Sequence, residues 1–154
     1  MKVIFLDIDG VLNVIGQGYD EYGQLFHPHL VENLKYIIDQ TGAKIMISSS
    51  WRSCGIVALQ EMWAKRNLPG EIIGHTPIGY KYLHNRGEEI NHMIDLYLED
   101  MTNYVILDDD DDMLEEQLSH FVQTSNNHDH PDCVDIGYGL TRICAEKAIK
   151  ILNS

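Results

Sequence analysis

The sequence predicts an α/β fold: a three-layer, Rossmann-like parallel sheet with helices on both faces. Two observations support this prediction. Short apolar segments rich in β-forming residues alternate along the chain with longer segments of helical spacing. Acidic or hydroxyl residues directly follow the apolar segments, and the carboxyl ends of strands are the ligand-binding edge of open α/β sheets. We expect residues 1–154 to form one domain, because this length can bury a sizeable core.

The first third of the chain is expected to contain two strands and one helix. Residues 2–8 (KVIFLDI) form a short apolar run that is typical of a buried strand. Residues 13–28 are rich in Gly and Tyr and are expected to be irregular. Residues 29–41 carry apolar side chains at helical spacing, and Gly42 is suited to end that helix. Residues 43–48 (AKIMIS) then predict a second buried strand.

The middle of the chain is expected to add two helices and the third strand. Residues 54–67 indicate a helix, and Pro69-Gly70 indicates a turn. Residues 88–100 (EEINHMIDLYLED) have one apolar face and predict an amphipathic helix. Residues 103–109 (NYVILDD) predict a third strand that ends in acidic residues.

The last part of the chain is expected to complete the sheet and cover it. Residues 114–120 indicate a helix, residues 121–124 (FVQT) a short fourth strand, and residues 125–138 a polar loop. Thr141 could cap a C-terminal helix that runs to about Leu152.

Composition and charge narrow the function classes. The formal net charge of −13 argues against a general nucleic-acid binder, since that binding depends on Lys and Arg neutralising phosphates. An enzyme with a locally positive cleft remains compatible, and a bound cation could neutralise part of the charge. The chain has no apolar stretch of the roughly 18 residues that span a bilayer, and its first residues do not resemble a secretory signal. We therefore expect a cytoplasmic protein without a membrane partner.

The three cysteines match neither a disulfide framework nor a CxxC metal pattern, and we expect free thiols at Cys54, Cys133 and Cys144. Two histidine clusters could contribute ligands to a zinc site: His27 with His29, and His128 and His130 with Cys133. A zinc site needs four ordered ligands, which neither cluster supplies by itself. Exposed loop histidines are the favoured interpretation.

Five consecutive aspartates, Asp108 to Asp112, directly follow the third predicted strand. Carboxylates this close repel one another unless a cation lies between them, and hard divalent cations prefer oxygen ligands. The spacing does not match an EF-hand loop, which favours Mg²⁺ over Ca²⁺. We expect Asp108 and Asp109 to bind the metal, with Asp110 and Asp111 in solvent or turn positions. Asp112 could be a more distant ligand or a helix N-cap, and a solvated acidic turn is the alternative for the whole run.

Asp7 and Asp9 end the first predicted strand, and Gly10 follows them. An aspartate at a strand end can attack phosphorus and form an aspartyl-phosphate. A second aspartate two residues later lies on the same face, where it can protonate the leaving oxygen and then activate water. The alternative is that Asp9 and Gly10 merely form a turn.

The segment SSSWR (48–52) places hydroxyl groups at the end of the second predicted strand. Hydroxyl and backbone N–H groups there can hold a phosphoryl oxygen. Ser48 is the favoured contact and Ser49 the alternative. Arg52 could bind a substrate phosphate or form a structural ion pair. Trp51 could stack on a base, although a core position is favoured.

Three of these motifs, DIDGVLN, SSSWR and YVILDDD, resemble in this order motifs one, two and four of the haloacid dehalogenase-like (HAD) phosphatase superfamily. With RGEEI (86–90), FVQT and GLT (139–141), the pattern looks like the HAD domain related to Swiss Army knife RNA repair proteins. The resemblance implies a nucleophile and Mg²⁺ ligand at Asp7, and a general acid/base at Asp9 with its backbone carbonyl on the metal. It implies phosphoryl binding by Ser48 and Mg²⁺ binding by Asp109, with Asp108 beside it.

The third motif of the superfamily is a Lys or Arg that screens the charge of the aspartyl-phosphate. Arg86 precedes a helix that leads into the last acidic strand, which is the place that the resemblance implies. Lys81 is the competing candidate, and Arg86 could instead cap its helix or pair on the helix surface.

The segments between the motifs are short, so we expect a capless fold or one with a minimal cap. An open site suits a bulky substrate, such as a phosphorylated RNA or DNA end or a protein, or a small ester bound with a partner's help. The aromatic residues of 13–28 could contact the substrate or anchor a loop; they are Tyr19, Tyr22 and Phe26.

Together the motifs predict a Mg²⁺-dependent phosphomonoester hydrolase that acts through an aspartyl-phosphate, with nucleic-acid end phosphates as one substrate class. A nucleotide or other small-molecule phosphatase, a phosphotransferase, and a non-catalytic module that binds phosphate or metal are the alternatives.

Overall fold

A computed structural model describes residues 1–13, 17–126 and 137–154. The strands are β1 (Lys2–Leu6), β2 (Tyr19–Asp20), β3 (Gly23–Gln24), β4 (Lys44–Ile47), β5 (Ile72–His75), β6 (Asn103–Asp108) and β7 (Phe121–Gln123). The α-helices are α1 (Pro28–Thr41), α2 (Ile56–Lys65), α3 (Arg86–Leu96) and α4 (Arg142–Leu152). Two 3₁₀ helices, Ser50–Cys54 and Glu115–His120, precede α2 and β7.

Five strands form one parallel sheet in the order β5-β4-β1-β6-β7. The side chains of β1 are apolar on both faces of the sheet. Ile4 and Leu6 belong to the core formed with α1, α2 and α4, whereas Val3 and Phe5 belong to the core formed with α3. This arrangement confirms the predicted three-layer α/β fold with helices on both faces.

The register of the sheet determines which residues share its carboxyl edge. Leu6 of β1 pairs with Ile47 of β4 on one side and with Leu107 of β6 on the other. The residues that follow these three positions therefore lie side by side at the end of the sheet; they are Asp7, Ser48 and Asp108.

Several elements differ from the predicted ones. The strand β5 was not expected, and the predicted helix over 54–67 begins only at Ile56, after a 3₁₀ turn. The helix expected over 88–100 spans Arg86–Leu96, and residues 115–120 form a 3₁₀ helix. The described part of 13–28 is not wholly irregular, because β2 and β3 pair as an antiparallel hairpin. Part of the polar loop predicted over 125–138 lies outside the described residues.

The predicted helix ends are confirmed at two places. The first helix ends at Gly42, whose N–H donates to the carbonyl of Ile38. The C-terminal helix begins at Thr141, whose hydroxyl accepts a hydrogen bond from the N–H of Cys144. Across the residues that the structure describes, none of the helices has the length and apolar character needed to cross a membrane. The expectation of one domain over residues 1–154 stays a prediction.

Candidate active site

Three carboxylates converge at the carboxyl edge of the sheet. Asp7, Asp108 and Asp109 each offer an oxygen atom, and these three atoms lie within 4.8 Å of one another. Asp7 and Asp108 are buried, and Asp109 is half-buried. A cluster of carboxylate oxygens is the kind of donor set that Mg²⁺ prefers, so these residues could hold such an ion.

Gly10 makes room for this cluster. Its φ angle is +80°, and a Cβ atom placed on it would lie 2.5 Å from Oδ2 of Asp109. A side chain at position 10 would therefore displace the Asp109 carboxylate. The sequence predicted the close turn at Gly10, but not that the turn accommodates the acidic residue that follows β6.

Burial strongly affects two of the clustered acids. Desolvation raises the pKa of Asp7 from 3.8 to about 6, and the positive charge of Arg86 partly opposes this shift. Desolvation also raises the pKa of Asp108 to about 8, and the nearby charge of Asp7 adds to the increase. Without a cation, burial therefore favours the protonated forms of Asp7 and Asp108 more than in an exposed aspartate, and a divalent cation would favour their ionised forms.

Arg86 contacts two carboxylates of the cluster. As the first residue of α3, it places Nη1 3.0 Å from Oδ2 of Asp108 and 3.5 Å from Oδ1 of Asp7. The side chain of Asn85 caps the same helix by accepting a hydrogen bond from the N–H of Glu88. Lys81, the competing candidate, is exposed. The Arg86 side chain thus contacts the predicted nucleophile, and it does not merely form an ion pair on the surface of its helix.

An ion pair between Arg52 and Glu89 lies next to Arg86. Arg52 is buried, and its Nη2 lies 2.9 Å from Oε2 of Glu89, while its Nη1 donates to the carbonyl of Ser48 at 3.0 Å. The same Glu89 oxygen lies 3.6 Å from Nε of Arg86. Arg52 therefore matches the ion-pair alternative of the sequence analysis. Glu89 was missed, because only the folded chain places it between two arginines.

The serines after β4 have different surroundings. The hydroxyl of Ser49 accepts a hydrogen bond from the N–H of Trp51 at 3.2 Å and so caps the 3₁₀ helix. The hydroxyl of Ser48 is buried and has no hydrogen-bond partner among the described residues. Thr76, which follows β5, has a hydroxyl in the same condition. Sequence reasoning missed Thr76 because it did not predict the strand before it.

Asp9 lies outside the carboxylate cluster. Its side chain is exposed, and its Oδ1 accepts hydrogen bonds from the indole Nε1 of Trp51 at 3.0 Å and from the amide of Asn13. Trp51 is partly buried against the core, with its ring at 5.5 Å from that of Phe26. The prediction of a core position for Trp51 is thus met in part, but its contact with Asp9 was not foreseen.

The remaining aspartates of the acidic run have local roles. The N–H of Asp110 donates to Oδ1 of Asp108 at 3.0 Å, and Asp110 and Asp111 are exposed. Oδ2 of Asp112 accepts from the N–H of Arg86 at 3.0 Å. Asp112 therefore satisfies a backbone donor at the start of α3, which is close to its predicted capping role but on a different helix.

One of the two predicted histidine clusters lies at the start of α1. Nδ1 of His27 accepts from the N–H of His29 at 3.1 Å and caps α1. The other predicted cluster lies outside the described residues; it comprises His128, His130 and Cys133. Among the aromatic residues of 13–28, Phe26 is buried against Trp51 and Tyr19 is exposed.

A parallel sheet with this order, and with acids after β1 and β6 and a serine after β4, defines a HAD-like α/β domain. The family model for the HAD domain in Swiss Army Knife RNA repair proteins matches residues 3–128, and the chain belongs to this family. Membership suggests phosphatase activity and phosphorylated substrates in general, and HAD proteins generally use Mg²⁺. No curated protein and no solved structure matches the chain.

Proposed function

We propose that the protein is a Mg²⁺-dependent phosphomonoester hydrolase that forms an aspartyl-phosphate on Asp7. The observation that carries this proposal is the position of Asp7. Its carboxylate lies in a compact acidic cluster and 3.5 Å from the guanidinium of Arg86. A nucleophile between a potential metal site and a fixed cation suits attack on a phosphate, whose charge must be neutralised.

The reaction has two steps. A carboxylate oxygen of Asp7 forms a bond to phosphorus while the bond from phosphorus to the ester oxygen breaks, and Asp9 gives a proton to that oxygen. Water then attacks phosphorus and gives a proton to Asp9. The bond between Asp7 and phosphorus breaks, inorganic phosphate leaves, and both aspartates return to their starting forms.

Other residues would stabilise charge in these steps. Asp7, Asp108 and Asp109 would hold Mg²⁺, with the backbone carbonyl of Asp9 as a further candidate ligand. When bound, Mg²⁺ supplies electrostatic stabilisation of the phosphoryl oxygens. Arg86 would screen the aspartyl-phosphate. The hydroxyl of Ser48, which has no hydrogen-bond partner in the part of the chain that the structure describes, is the favoured phosphoryl contact.

The substrate class has two candidates. The family description favours phosphorylated RNA or DNA ends. The small size of the hairpin β2–β3 favours them as well, because an open site suits a bulky substrate. The net charge of −13 favours a nucleotide or another small phosphate ester instead. A panel of 3′- and 5′-phosphorylated oligonucleotides compared with mononucleotides, each at equal Mg²⁺, distinguishes them by kcat/KM.

The mechanism is tested with 4-nitrophenyl phosphate and Mg²⁺. We expect Asp7→Asn to lower kcat by at least about a thousandfold, because the variant lacks the attacking oxygen anion. Asp39→Asn is the matched control, since Asp39 lies exposed on α1. Full activity of Asp7→Asn would refute the aspartyl-phosphate mechanism. Mg²⁺-dependent stabilisation without turnover of any phosphoester would indicate a non-catalytic module.

A further inference from the structure

We propose that Trp51 is a positioning residue for the carboxyl group of Asp9, and that the hairpin β2–β3 holds Trp51 in place. The inference rests on the proposed function, in which Asp9 is the general acid and base. Its starting point is the 3.0 Å hydrogen bond from the indole N–H of Trp51 to Oδ1 of Asp9.

Asp9 depends on its partners for a defined orientation. Its side chain is exposed, so packing alone does not restrict its rotation. The amide of Asn13 donates to the same oxygen as Trp51, and Oδ1 of Asn13 in turn accepts from the N–H of Gly10 at 3.2 Å. Because Oδ1 already accepts two N–H hydrogen bonds, we infer that the other oxygen, Oδ2, transfers the proton.

Trp51 is itself held by its surroundings. Its ring packs edge-on against Phe26, and the guanidinium carbon of Arg66 lies 5.8 Å from the ring centre. The hairpin lies beside the ring at Gly23, where an added Cβ would lie 3.4 Å from Cη2 of the indole. The indole therefore lies between the protein core and the hairpin.

Arg66 fixes the hairpin in turn. Its guanidinium donates to both carboxylate oxygens of Asp20 at 2.7 and 2.9 Å, and to the carbonyls of Gly23 and Gln24 at 3.1 and 3.0 Å. The Arg66 side chain is only 7% exposed, whereas its partner Asp20 lies at the surface. A connected series of contacts thus leads from the end of α2 through the hairpin and Trp51 to Asp9.

The dependence of the rate on the leaving group distinguishes a positioning role of Trp51 from a merely structural one. Protonation by Asp9 matters most when the leaving oxygen is strongly basic, as in an alkyl phosphate. The 4-nitrophenolate ion leaves readily without a proton. Loss of Asp9 orientation should therefore slow an alkyl phosphate much more than 4-nitrophenyl phosphate.

The test compares Trp51→Phe with Trp63→Phe on 4-nitrophenyl phosphate and ethyl phosphate. Trp63 is a matched control, because its indole donates to the carbonyl of Pro69 and its ring also packs on Phe26. We expect Trp51→Phe to lower kcat on ethyl phosphate about 10- to 100-fold and to change 4-nitrophenyl phosphate turnover by less than about threefold. Trp63→Phe should change both substrates equally. The ratio of the two rates is independent of the folded fraction of a sample.

A double-mutant cycle shows whether Trp51 acts through Asp9. In the Asp9→Asn background, Trp51→Phe should cause little further loss. Asn13→Ala, which removes the second donor, should give the same substrate-dependent loss as Trp51→Phe. An equal loss on both substrates for Trp51→Phe, or an undiminished loss in the Asp9→Asn background, would overturn the inference alone. Full activity of Asp9→Asn on both substrates would overturn the proposed role of Asp9 as well.

Discussion

Two opposing effects act on the carboxyl group of Asp7. Burial raises its pKa to about 6, whereas the positive charge of Arg86 lowers it. Because only the ionised carboxylate can attack phosphorus, Arg86 would serve Asp7 in two ways: it favours the ionised form and screens the charge of the phosphorylated product. Arg86 thus interacts with the carboxylate of Asp7 before substrate binds.

Arg86→Ala should therefore affect both the rate and its pH dependence. We expect kcat/KM to fall about 10²- to 10³-fold, since a preorganised positive charge is lost from the site. The acidic limb of the pH–rate profile should move to higher pH, because the pKa of Asp7 rises further without the guanidinium. The measurement is kcat/KM on 4-nitrophenyl phosphate from pH 5 to about 9 at saturating Mg²⁺.

Lys81→Ala provides the comparison for this prediction. Lys81 is exposed, so its removal should leave both the rate and the pH profile unchanged. A large loss for Lys81→Ala with a nearly normal Arg86→Ala would assign the screening role to Lys81 instead.

The sequence predicted those site residues whose position follows from a strand end. Asp7, Ser48 and Asp108 each follow an apolar run directly, and parallel register then brings them together. The contact of Trp51 with Asp9 and that of Glu89 with Arg52 were beyond such reasoning, because the partners are distant in sequence and their meeting depends on the packing of the 3₁₀ helix and α3.

At the scale of elements, the start of α3 and the acidic loop after β6 fit closely together. The N–H of Gly87 donates to the carbonyl of Asp112 at 3.2 Å, and the amide of Gln117 donates to the carbonyl of Gly87 at 2.8 Å. A Cβ at position 87 would lie 2.7 Å from the backbone N of Leu114. Glycine thus permits the contact that positions Arg86 over the carboxylates.

Gly87→Ala should separate these two elements. We expect the free energy of unfolding to fall by about 1–3 kcal/mol, because the new methyl group overlaps backbone atoms that cannot move independently. Activity should fall in the folded variant as well, since Arg86 and the acidic loop are displaced from each other. Urea unfolding and 4-nitrophenyl phosphate turnover measure the two effects.

Asn91→Ala is a suitable control on the same helix and should change stability by less than about 0.5 kcal/mol. Native stability together with full activity in Gly87→Ala would show that the loop and helix accommodate a side chain without consequence.

The elements that the sequence did not predict have weak local signals. The strand β5 has only four residues, IIGH, and includes a glycine, so its apolar run is too short to stand out. It forms by pairing at the edge of the sheet, where β4 already supplies a partner. The 3₁₀ form of residues 115–120 is likewise a tertiary outcome, since Gln117 is buried against Gly87.

At the scale of the whole molecule, the net charge of −13 adds to the cost of placing ionised acids at one edge of the sheet. The cost is largest at Asp108, because its side chain is buried and the carboxyl of Asp7 lies close by. It faces the carboxyls of Asp7 and Asp109, and Arg86 is the cation in contact with it among the described residues. Its pKa is raised from 3.8 to about 8, so the folded protein binds a proton there that the unfolded chain releases.

The stability of the Mg²⁺-free protein should therefore depend on pH in a defined direction. Between about pH 4 and 8 the folded state binds more protons than the unfolded state, so the free energy of unfolding decreases as pH rises through this range. We expect thermal unfolding in EDTA to show this decrease, and Asp108→Asn, which is neutral at every pH, to show a smaller one. Asp39→Asn, an exposed control, should keep the wild-type slope.

Added Mg²⁺ should stabilise the protein more at pH 8 than at pH 5, because the cation binds the ionised carboxylates and competes with protons for them. The difference between the two pH values should shrink in Asp108→Asn, which lacks one of the charged ligands. Thermal unfolding with and without Mg²⁺ at both pH values measures this coupling. Equal stabilisation at pH 5 and pH 8, with the same result in Asp108→Asn, would mean that the cation binds elsewhere and that the buried cluster is not its site.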